Sequence, residues 1–155
     1  MKKKILAMIL VMALAVILIP AVAQAATRAV YTPELFEQAV ADSVSGDIIE
    51  LTADITLNKN TDSPAISLSG KSITIDVGSF TLSIVNTGGP ALKVGSGGAV
   101  DIAQAPAGAF NVTGTAFGVG AFDGGRATVT NATATAKIIQ AEDDASGAYA
   151  NGSNS

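Results

Sequence analysis

The chain has 155 residues, nine of them basic and thirteen acidic, and it contains no Cys, His or Trp. The absence of Cys and His excludes disulfide frameworks, thiol catalysis, imidazole bases and the usual zinc sites. Charged residues make up 14% of the chain, against about 25% in ordinary soluble domains, so the sequence directs attention to architecture rather than to a reactive site.

The N-terminal segment has the pattern of a secretory signal peptide. Lysines at 2–4 precede an uninterrupted apolar run from Ile5 to Ile19, Pro20 ends that run, and Ala-Gln-Ala at 23–25 supplies the small residues of a cleavage site. An uncleaved membrane anchor is the alternative, for which the apolar stretch is only just long enough. We predict a signal-peptide helix that engages the export machinery, cleavage after Ala25, and an extracellular or cell-surface location.

Cleavage there changes the charge balance of the chain. Loss of three lysines leaves six basic and thirteen acidic residues, a net charge of −7, and no cluster of Lys or Arg remains. A nucleic-acid partner is therefore not expected, because such proteins carry a basic footprint. Adsorption to an anionic membrane surface is disfavoured for the same reason.

Residues 32–45 predict the one helix that follows the signal segment. Thr32 is suited to the N-cap, Pro33 to the first helical position, and Gly46 to the C-terminal stop. Tyr31 and Phe36 are spaced to form a hydrophobic staple. The apolar residues fall on one face: Leu35, Phe36, Ala39, Val40 and Val44.

From Asp47 onward the pattern changes to short strands in which apolar residues alternate with small polar ones. Glycine, Asn, Ser and Asp turn clusters separate these segments. The predicted strands are 48–51, 55–57, 66–68, 73–75, 80–84, 91–94, 100–102, 110–112, 117–119, 127–129 and 137–139.

The strands belong to an internal repeat. Pro64–Gly70 matches Pro90–Ser96, Thr115–Ala121 is the next copy with Phe117 aligned to Leu92, and Gly147–Gly152 resembles the start of another. A period of about 25 residues with three short strands per copy is typical of a solenoid. A parallel β-helix is the favoured prediction, and an antiparallel sandwich is the alternative that does not explain the repeat.

Residues 34–57 resemble the opening of pectin-lyase-like right-handed β-helix proteins, especially secreted bacterial surface proteins. In that family an amphipathic helix is followed by G-D-x-I-x-L and a second strand, which Gly46–Leu51 and Ala53–Leu57 match here. Gly70–Asp76 and Phe80–Leu82 look like the family's next rung, and the resemblance extends to about residue 135. It implies an all-β fold, a right-handed parallel β-helix whose helix covers the open end of the first rung.

The predicted organisation has three parts. Residues 1–25 are the signal peptide, 26–46 an N-terminal linker and capping helix, and 47–155 the β-helix rungs. Because the last repeat begins at Gly147 without a cap after it, the rungs are expected to be incomplete at the C-terminus.

Candidate site residues come from the family's chemistry. Its polysaccharide lyases use an Arg or Lys base beside carboxylates that hold calcium, which points to Asp123 and Arg126, but Gly124-Gly125 between them favours a turn with two solvated charges. The acidic run Glu142, Asp143 and Asp144 is a candidate for calcium, yet calcium takes about six to eight oxygen ligands, so a solvated loop is predicted. We therefore predict no catalytic, cofactor-binding or metal residue and no cofactor, with calcium as the one candidate.

The resemblance covers both enzymes and adhesins, so several functions stay open. The leading hypothesis is a non-catalytic exported surface module, adhesin-like or a spacer, whose partners are extracellular glycans or cell-wall components. The alternative is the N-terminal part of a polysaccharide lyase or other carbohydrate-active enzyme whose active site this chain lacks. A third hypothesis is a structural segment that self-associates end to end through an open final rung.

Overall fold

The computed structural model describes residues 25–104, 107–129 and 132–136. Within those ranges the chain is all-β apart from one short helix, α1 (Pro33–Asp42). The strands are β1 (Thr27–Val30), β2 (Ile48–Leu51), β3 (Ile55–Lys59), β4 (Ile66–Ser69), β5 (Ser72–Gly78), β6 (Thr81–Asn86), β7 (Leu92–Gly95), β8 (Ala99–Gln104), β9 (Ala109–Gly114), β10 (Val119–Ala121), β11 (Arg126–Val129) and β12 (Ala132–Ala136). The strand predicted at 137–139 lies outside the described residues.

The strands form three sheets in which every pairing is parallel. The first sheet has the order β1-β2-β5-β8-β11, the second β3-β6-β9-β12 and the third β4-β7-β10. From β2 onward each strand pairs with the strand three places later, so the chain visits the three sheets in turn. This pairing excludes the antiparallel sandwich, which would join neighbouring strands by hairpins.

Buried residues of all three sheets and of α1 form one hydrophobic core. In-register pairing brings aliphatic side chains from consecutive repeats into columns, as with Ile49 and Ile75, or Ile84 and Val112. Burying each such side chain contributes about 1.5–3 kcal/mol. The three central columns are Ile49-Ile75-Ile102 in the first sheet, Leu57-Ile84-Val112 in the second and Leu68-Val94-Ala121 in the third.

The predicted register of the third repeat copy is wrong by two positions. Val119, not Phe117, pairs with Leu92, so the strand is Val119–Ala121 rather than 117–119. Side chains alternate between the two faces with a period of two, and a shift by two positions preserves the inward and outward pattern. Alternation alone therefore cannot distinguish the two registers. Phe117 remains in the loop before β10 and is only half-buried.

Helix α1 begins as predicted but ends early. The Leu35 amide donates to Thr32 Oγ1 at 3.3 Å, and Phe36, Ala39 and Val40 are buried. Tyr31, the other residue of the predicted staple, is 62% exposed. No helix of the described residues is long and apolar enough to cross a membrane.

The helix ends at Asp42 and not next to Gly46, because other groups satisfy its last carbonyls. The Ser43 hydroxyl donates to the Val40 carbonyl at 2.7 Å, and Ser43 itself has extended backbone. The Lys71 ammonium donates to the carbonyls of Val40, Ala41 and Ser43 at 2.6, 3.0 and 3.1 Å. A cation at this end also opposes the negative pole of the helix dipole.

In the order of elements along the chain, helix α1 stands where the later repeats have a third-sheet strand. It directly precedes β2, as β4, β7 and β10 precede β5, β8 and β11. Phe36 is completely buried, and the helix is joined to β3 by the ion pair of Glu37 with Lys59 at 2.7 Å. The segment 26–46, predicted as a linker and capping helix, also contains the strand β1, which pairs with β2.

A single buried amide joins the loops of two successive repeats. Asn86 at the end of β6 is completely buried, and its Oδ1 accepts from the amides of Thr61 and Gly88 at 3.1 and 3.2 Å. Its Nδ2 donates to the carbonyls of Ser63 and Pro90 at 2.9 and 2.8 Å. All four hydrogen-bonding positions of the amide are therefore used. A Cβ on Gly89 would lie 2.6 Å from the Asp62 carbonyl oxygen, so the loops can approach this closely only at glycine.

We expect Asn86→Ala to destabilise the chain by about 3 kcal/mol, because it leaves several buried backbone groups without partners. Asn111→Ala is the matched control, since Asn111 is half-buried and makes one side-chain contact of 3.5 Å with Ser83. The control should lose no more than about 0.5 kcal/mol. Urea unfolding followed by circular dichroism measures both variants, and equal losses would contradict the role given to Asn86.

Candidate functional site

A shallow groove of about 350 Å³ lies on the outer face of the first sheet. Strands β5, β8 and β11 and the turn at Gly46 form it. The side chains that alternate outward along these strands supply its polar groups: Ser72, Thr74, Asp101, Arg126 and Thr128. These are hydroxyl, carboxylate and guanidinium groups, which can bind a ligand rich in hydroxyls or carboxylates.

The strand register fixes how these groups are arranged. Thr74, Asp101 and Thr128 occupy one row across β5, β8 and β11, and Ser72, Ala99 and Arg126 occupy the next. Asp101 and Arg126 are therefore diagonal neighbours on adjacent strands, a relation that puts Cα atoms about 7–8 Å apart. Both residues are exposed. One guanidinium, one carboxylate and three hydroxyls therefore share this surface, so it offers hydrogen-bond donors and acceptors and charges of both signs.

The sequence-predicted pair Asp123 and Arg126 is divided between a turn and a strand. Asp123 is exposed in the turn before β11 with φ of 51°, and its carbonyl accepts from the Gly97 amide at 3.2 Å. Arg126 begins β11 and lines the groove, whereas Asp123 does not. Among the residues the structure describes, no ion pair joins their side chains. Glu142, Asp143 and Asp144 lie outside the described residues.

Acidic side chains are spread over the described part of the chain. Within 25–104, 107–129 and 132–136, no three Asp, Glu, His or Cys residues come together as a set of metal ligands. Asp54 and Asp76 instead accept backbone amides, from Thr81 at 2.8 Å and Gly78 at 2.9 Å. Asp76 therefore stabilises its own turn, whereas Asp54 connects the segment before β3 to the first residue of β6.

A pair of aromatic rings lies on the outer face of the third sheet. The rings of Phe117 and Phe122 are 5.2 Å apart at their centroids and tilted by 50°, and both residues are half-buried. Gly120 lies beneath them, since a Cβ there would come within 2.6 Å of each ring. The Lys93 ammonium lies 5.5 Å from the Phe122 centroid, within range of a cation–π contact. The sequence did not predict this surface, because the predicted register placed Phe117 inside a strand.

Asp47 organises the N-terminal end of the fold. Its side chain is completely buried, and its Oδ1 accepts from the Ala26 amide at 2.8 Å. Its Oδ2 accepts from the Val44 amide at 3.1 Å and from Arg28 Nε at 3.2 Å. The Arg28 guanidinium also donates to the Asp42 carbonyl at 3.2 Å, which connects β1 to the end of α1. Arg28 lies in the strand β1 and is held there by both contacts.

These contacts lower the pKa of the Asp47 carboxyl below its ordinary value. The Ala26 amide has the largest effect, followed by the Val44 amide, and the charge and hydrogen bond of Arg28 act in the same direction against burial. Hydrogen bonds donated to the charged form favour that form. A folded pKa below the unfolded one contributes stability above the unfolded pKa, and this contribution is lost as pH falls through the folded pKa.

We expect the melting temperature to fall as pH drops below about 4, where unfolded Asp protonates, and to keep falling until Asp47 itself is protonated. Asp47→Asn should melt roughly 5 °C lower at pH 7. Both oxygens of Asp47 accept hydrogen bonds, and in the variant the Asn side-chain nitrogen would replace one of them and face an N–H donor. The variant should also show a shallower acid decline. Asp54→Asn is the matched control, since Asp54 is exposed and accepts one amide. Parallel acid declines for Asp47→Asn and the unchanged chain would contradict the assignment.

Three comparisons with known proteins found no match. No protein-family model matches the sequence, no curated protein matches it, and no solved structure matches it. Its function has to follow from its own groove, ring pair and N-terminal anchor.

Proposed function

We propose that this chain is an exported right-handed parallel β-helix of the pectin-lyase-like kind, whose first-sheet groove binds extracellular glycans without cleaving them. The observation that carries the proposal is the groove of hydroxyl, carboxylate and guanidinium groups on a regular parallel sheet. Rigid strands hold such groups at fixed spacing, as recognition of a repeating polymer requires.

The solenoid part of the proposal is supported by the regular pairing. Between β2 and β11 every strand pairs with the strand three places later, and the sequence separation of the paired positions stays nearly constant. One turn of chain per repeat accounts for both features. Right-handedness is expected because about 98% of parallel crossovers have that hand.

The family part is supported by what the G-D-x-I-x-L segment does. Gly46 has φ of 96°, which favours glycine, and Asp47 uses its carboxylate to hold the N-terminal strand. Ile49 and Leu51 point into the core, while Glu50 is exposed. Each fixed position of the motif therefore has a structural role, and the motif implies the fold more strongly than any activity.

The binding part is supported by the chemistry of the lining residues. The Arg126 guanidinium can hold a carboxylate through two parallel hydrogen bonds. Asp101 is the one carboxylate among the described lining residues, whereas hydrolysis of a glycosidic bond ordinarily uses two. These groups favour recognition of a sugar acid over hydrolysis.

At about 0.15 M ionic strength, where repulsion between the acidic chain and an acidic polymer is screened, we expect the chain to be retarded by polygalacturonate and by neutral xylan in affinity electrophoresis. Arg126→Gln should weaken retardation by polygalacturonate about tenfold, the loss of one charged hydrogen-bonding partner. Lys93→Gln is the matched control, because Lys93 lies on the third sheet away from the groove. Equal losses in both variants would contradict the groove as the binding surface. Appearance of new chain ends in the polymer would favour the enzyme alternative.

Export gives a separate test. We expect protein recovered outside the cells that produce it to begin at Ala26, as measured by mass spectrometry of its N-terminal peptide. Ala25→Leu should block processing, since the site accepts small residues there, and Gln24→Leu is the control at the intervening position. An intracellular protein that keeps residues 1–25 would contradict the proposal of export.

A further inference from the structure

The backbone nitrogen of Ala26 lies at the buried carboxylate of Asp47. The two atoms, Ala26 N and Asp47 Oδ1, are 2.8 Å apart, and the Asp47 side chain has no exposed surface. The peptide bond that ends at this nitrogen is the bond between Ala25 and Ala26. It is the same bond at which the signal segment is proposed to be removed.

We propose that Asp47 is a binding site for the new N-terminus, so that removal of residues 1–25 completes the anchor at this end of the fold. The inference rests on the proposed export and cleavage after Ala25. Before cleavage Asp47 accepts a neutral amide from Ala26. After cleavage it binds the positively charged α-ammonium of the same residue.

The chemical step is hydrolysis by a signal-removing protease of the export machinery. Water adds to the Ala25 carbonyl carbon, and the carbon–nitrogen bond to Ala26 breaks. Ala25 leaves with a new carboxylate, while the nitrogen of Ala26 takes up protons and becomes an ammonium. No oxidant or further reactant is needed.

The site fits an ammonium without rearrangement. The Ala26 carbonyl accepts from the Ile48 amide at 2.9 Å, which holds the residue beside β2 whether or not Ala25 is attached. Ala26 itself is exposed, so the two additional N–H groups of an ammonium can reach water. Cleavage thus replaces a neutral hydrogen bond with a charge-assisted one at a position that is already aligned.

The two oxygens of Asp47 have separate partners. Oδ1 accepts from Ala26, while Oδ2 accepts from Arg28 and the Val44 amide. The new cation therefore occupies its own oxygen and does not displace the guanidinium.

Cleavage also opens space beside the turn at Gly46. In the described chain the Ala25 side chain would lie 3.2 Å from a Cβ built on Gly46. A residue larger than glycine at position 46 would therefore contact Ala25 as long as the segment is not cleaved.

Charged residues on each neighbouring element affect the pKa of this ammonium. Arg28 lies on β1, Asp42 ends α1, Asp47 precedes β2, and Lys71 precedes β5 and contacts the carbonyl of Ser43. An α-amino group ordinarily has a pKa of about 7.7–8.0, which the Asp47 charge should raise. A raised folded pKa contributes stability that is full below the unfolded pKa and is lost as pH rises through the folded one.

Three forms of the chain beginning at Ala26 test the proposal: a free α-amine, an acetylated α-amine and a dimethylated α-amine. They can be made by releasing the chain from a fusion partner with a protease that leaves Ala26 as the first residue. The lysine side chains must be in the same chemical state in all three forms. Acetylation removes the charge but keeps an N–H for Asp47, whereas dimethylation keeps both the charge and an N–H.

We expect acetylation to lower the melting temperature at pH 7 by roughly 5 °C and dimethylation to change it far less. The difference between free and acetylated forms should disappear in Asp47→Asn, persist in Asp54→Asn, and vanish at about pH 10, where the α-amine is neutral. Equal melting temperatures for free and acetylated chains at pH 7 would overturn the proposal. So would a difference of the same size in Asp47→Asn.

This experiment uses chains that already begin at Ala26, so its outcome is independent of export. If the free amine stabilises the chain but cells do not cleave after Ala25, binding of the N-terminus by Asp47 is supported and the proposed export is contradicted. If cells cleave there and acetylation has no effect, export stands and the anchor fails.

Discussion

The constraint on which the fold depends is the parallel pairing of strands that lie one repeat apart. In this pairing, inward aliphatic side chains of successive strands meet, as in Ile49, Ile75 and Ile102. A slip by one position would turn such a column outward and put alternating polar residues into the core. The same register sets the outer rows, so the groove at Asp101 and Arg126 is a consequence of core packing.

The helix α1 and Asp47 make the contacts that hold the N-terminal end of the described chain together. The helix satisfies its own backbone and offers Phe36, Ala39 and Val40 to the core, so it covers apolar side chains without presenting a pairing edge. Lys71 and Lys59 reach this helix from later parts of the chain, and Asp47 holds Ala26 and Arg28 against it. The N-terminal end is therefore held both by the buried apolar side chains of α1 and by polar contacts of Asp47, Lys59 and Lys71.

Sequence patterns predicted the local structure well and the long-range polar contacts poorly. Alternation placed the strands at 48–51, 66–68 and 127–129 close to their observed bounds, and the N-cap at Thr32 is confirmed. Alternation carries no information about a shift by two positions, which is why Phe117 was misplaced. The bond between Arg28 and Asp47 joins two parts of the chain that are distant in sequence, and neither residue has a local pattern that identifies its partner. Arg126 was a candidate from its residue type, but only the register gives it Asp101 and Thr128 as neighbours.

Asn86 has a mechanical consequence. The hydrogen bonds of its side-chain amide connect the loop at Thr61 and Ser63 to the loop at Gly88 and Pro90. A force that pulls successive repeats apart is therefore resisted here by these hydrogen bonds as well as by the three sheets. One repeat later the paired position is Gly114, which has no side chain to make such a connection. The loop at Gly88 and Pro90 should therefore separate from the loop that follows Gly114 at a lower force than from the loop at Thr61 and Ser63.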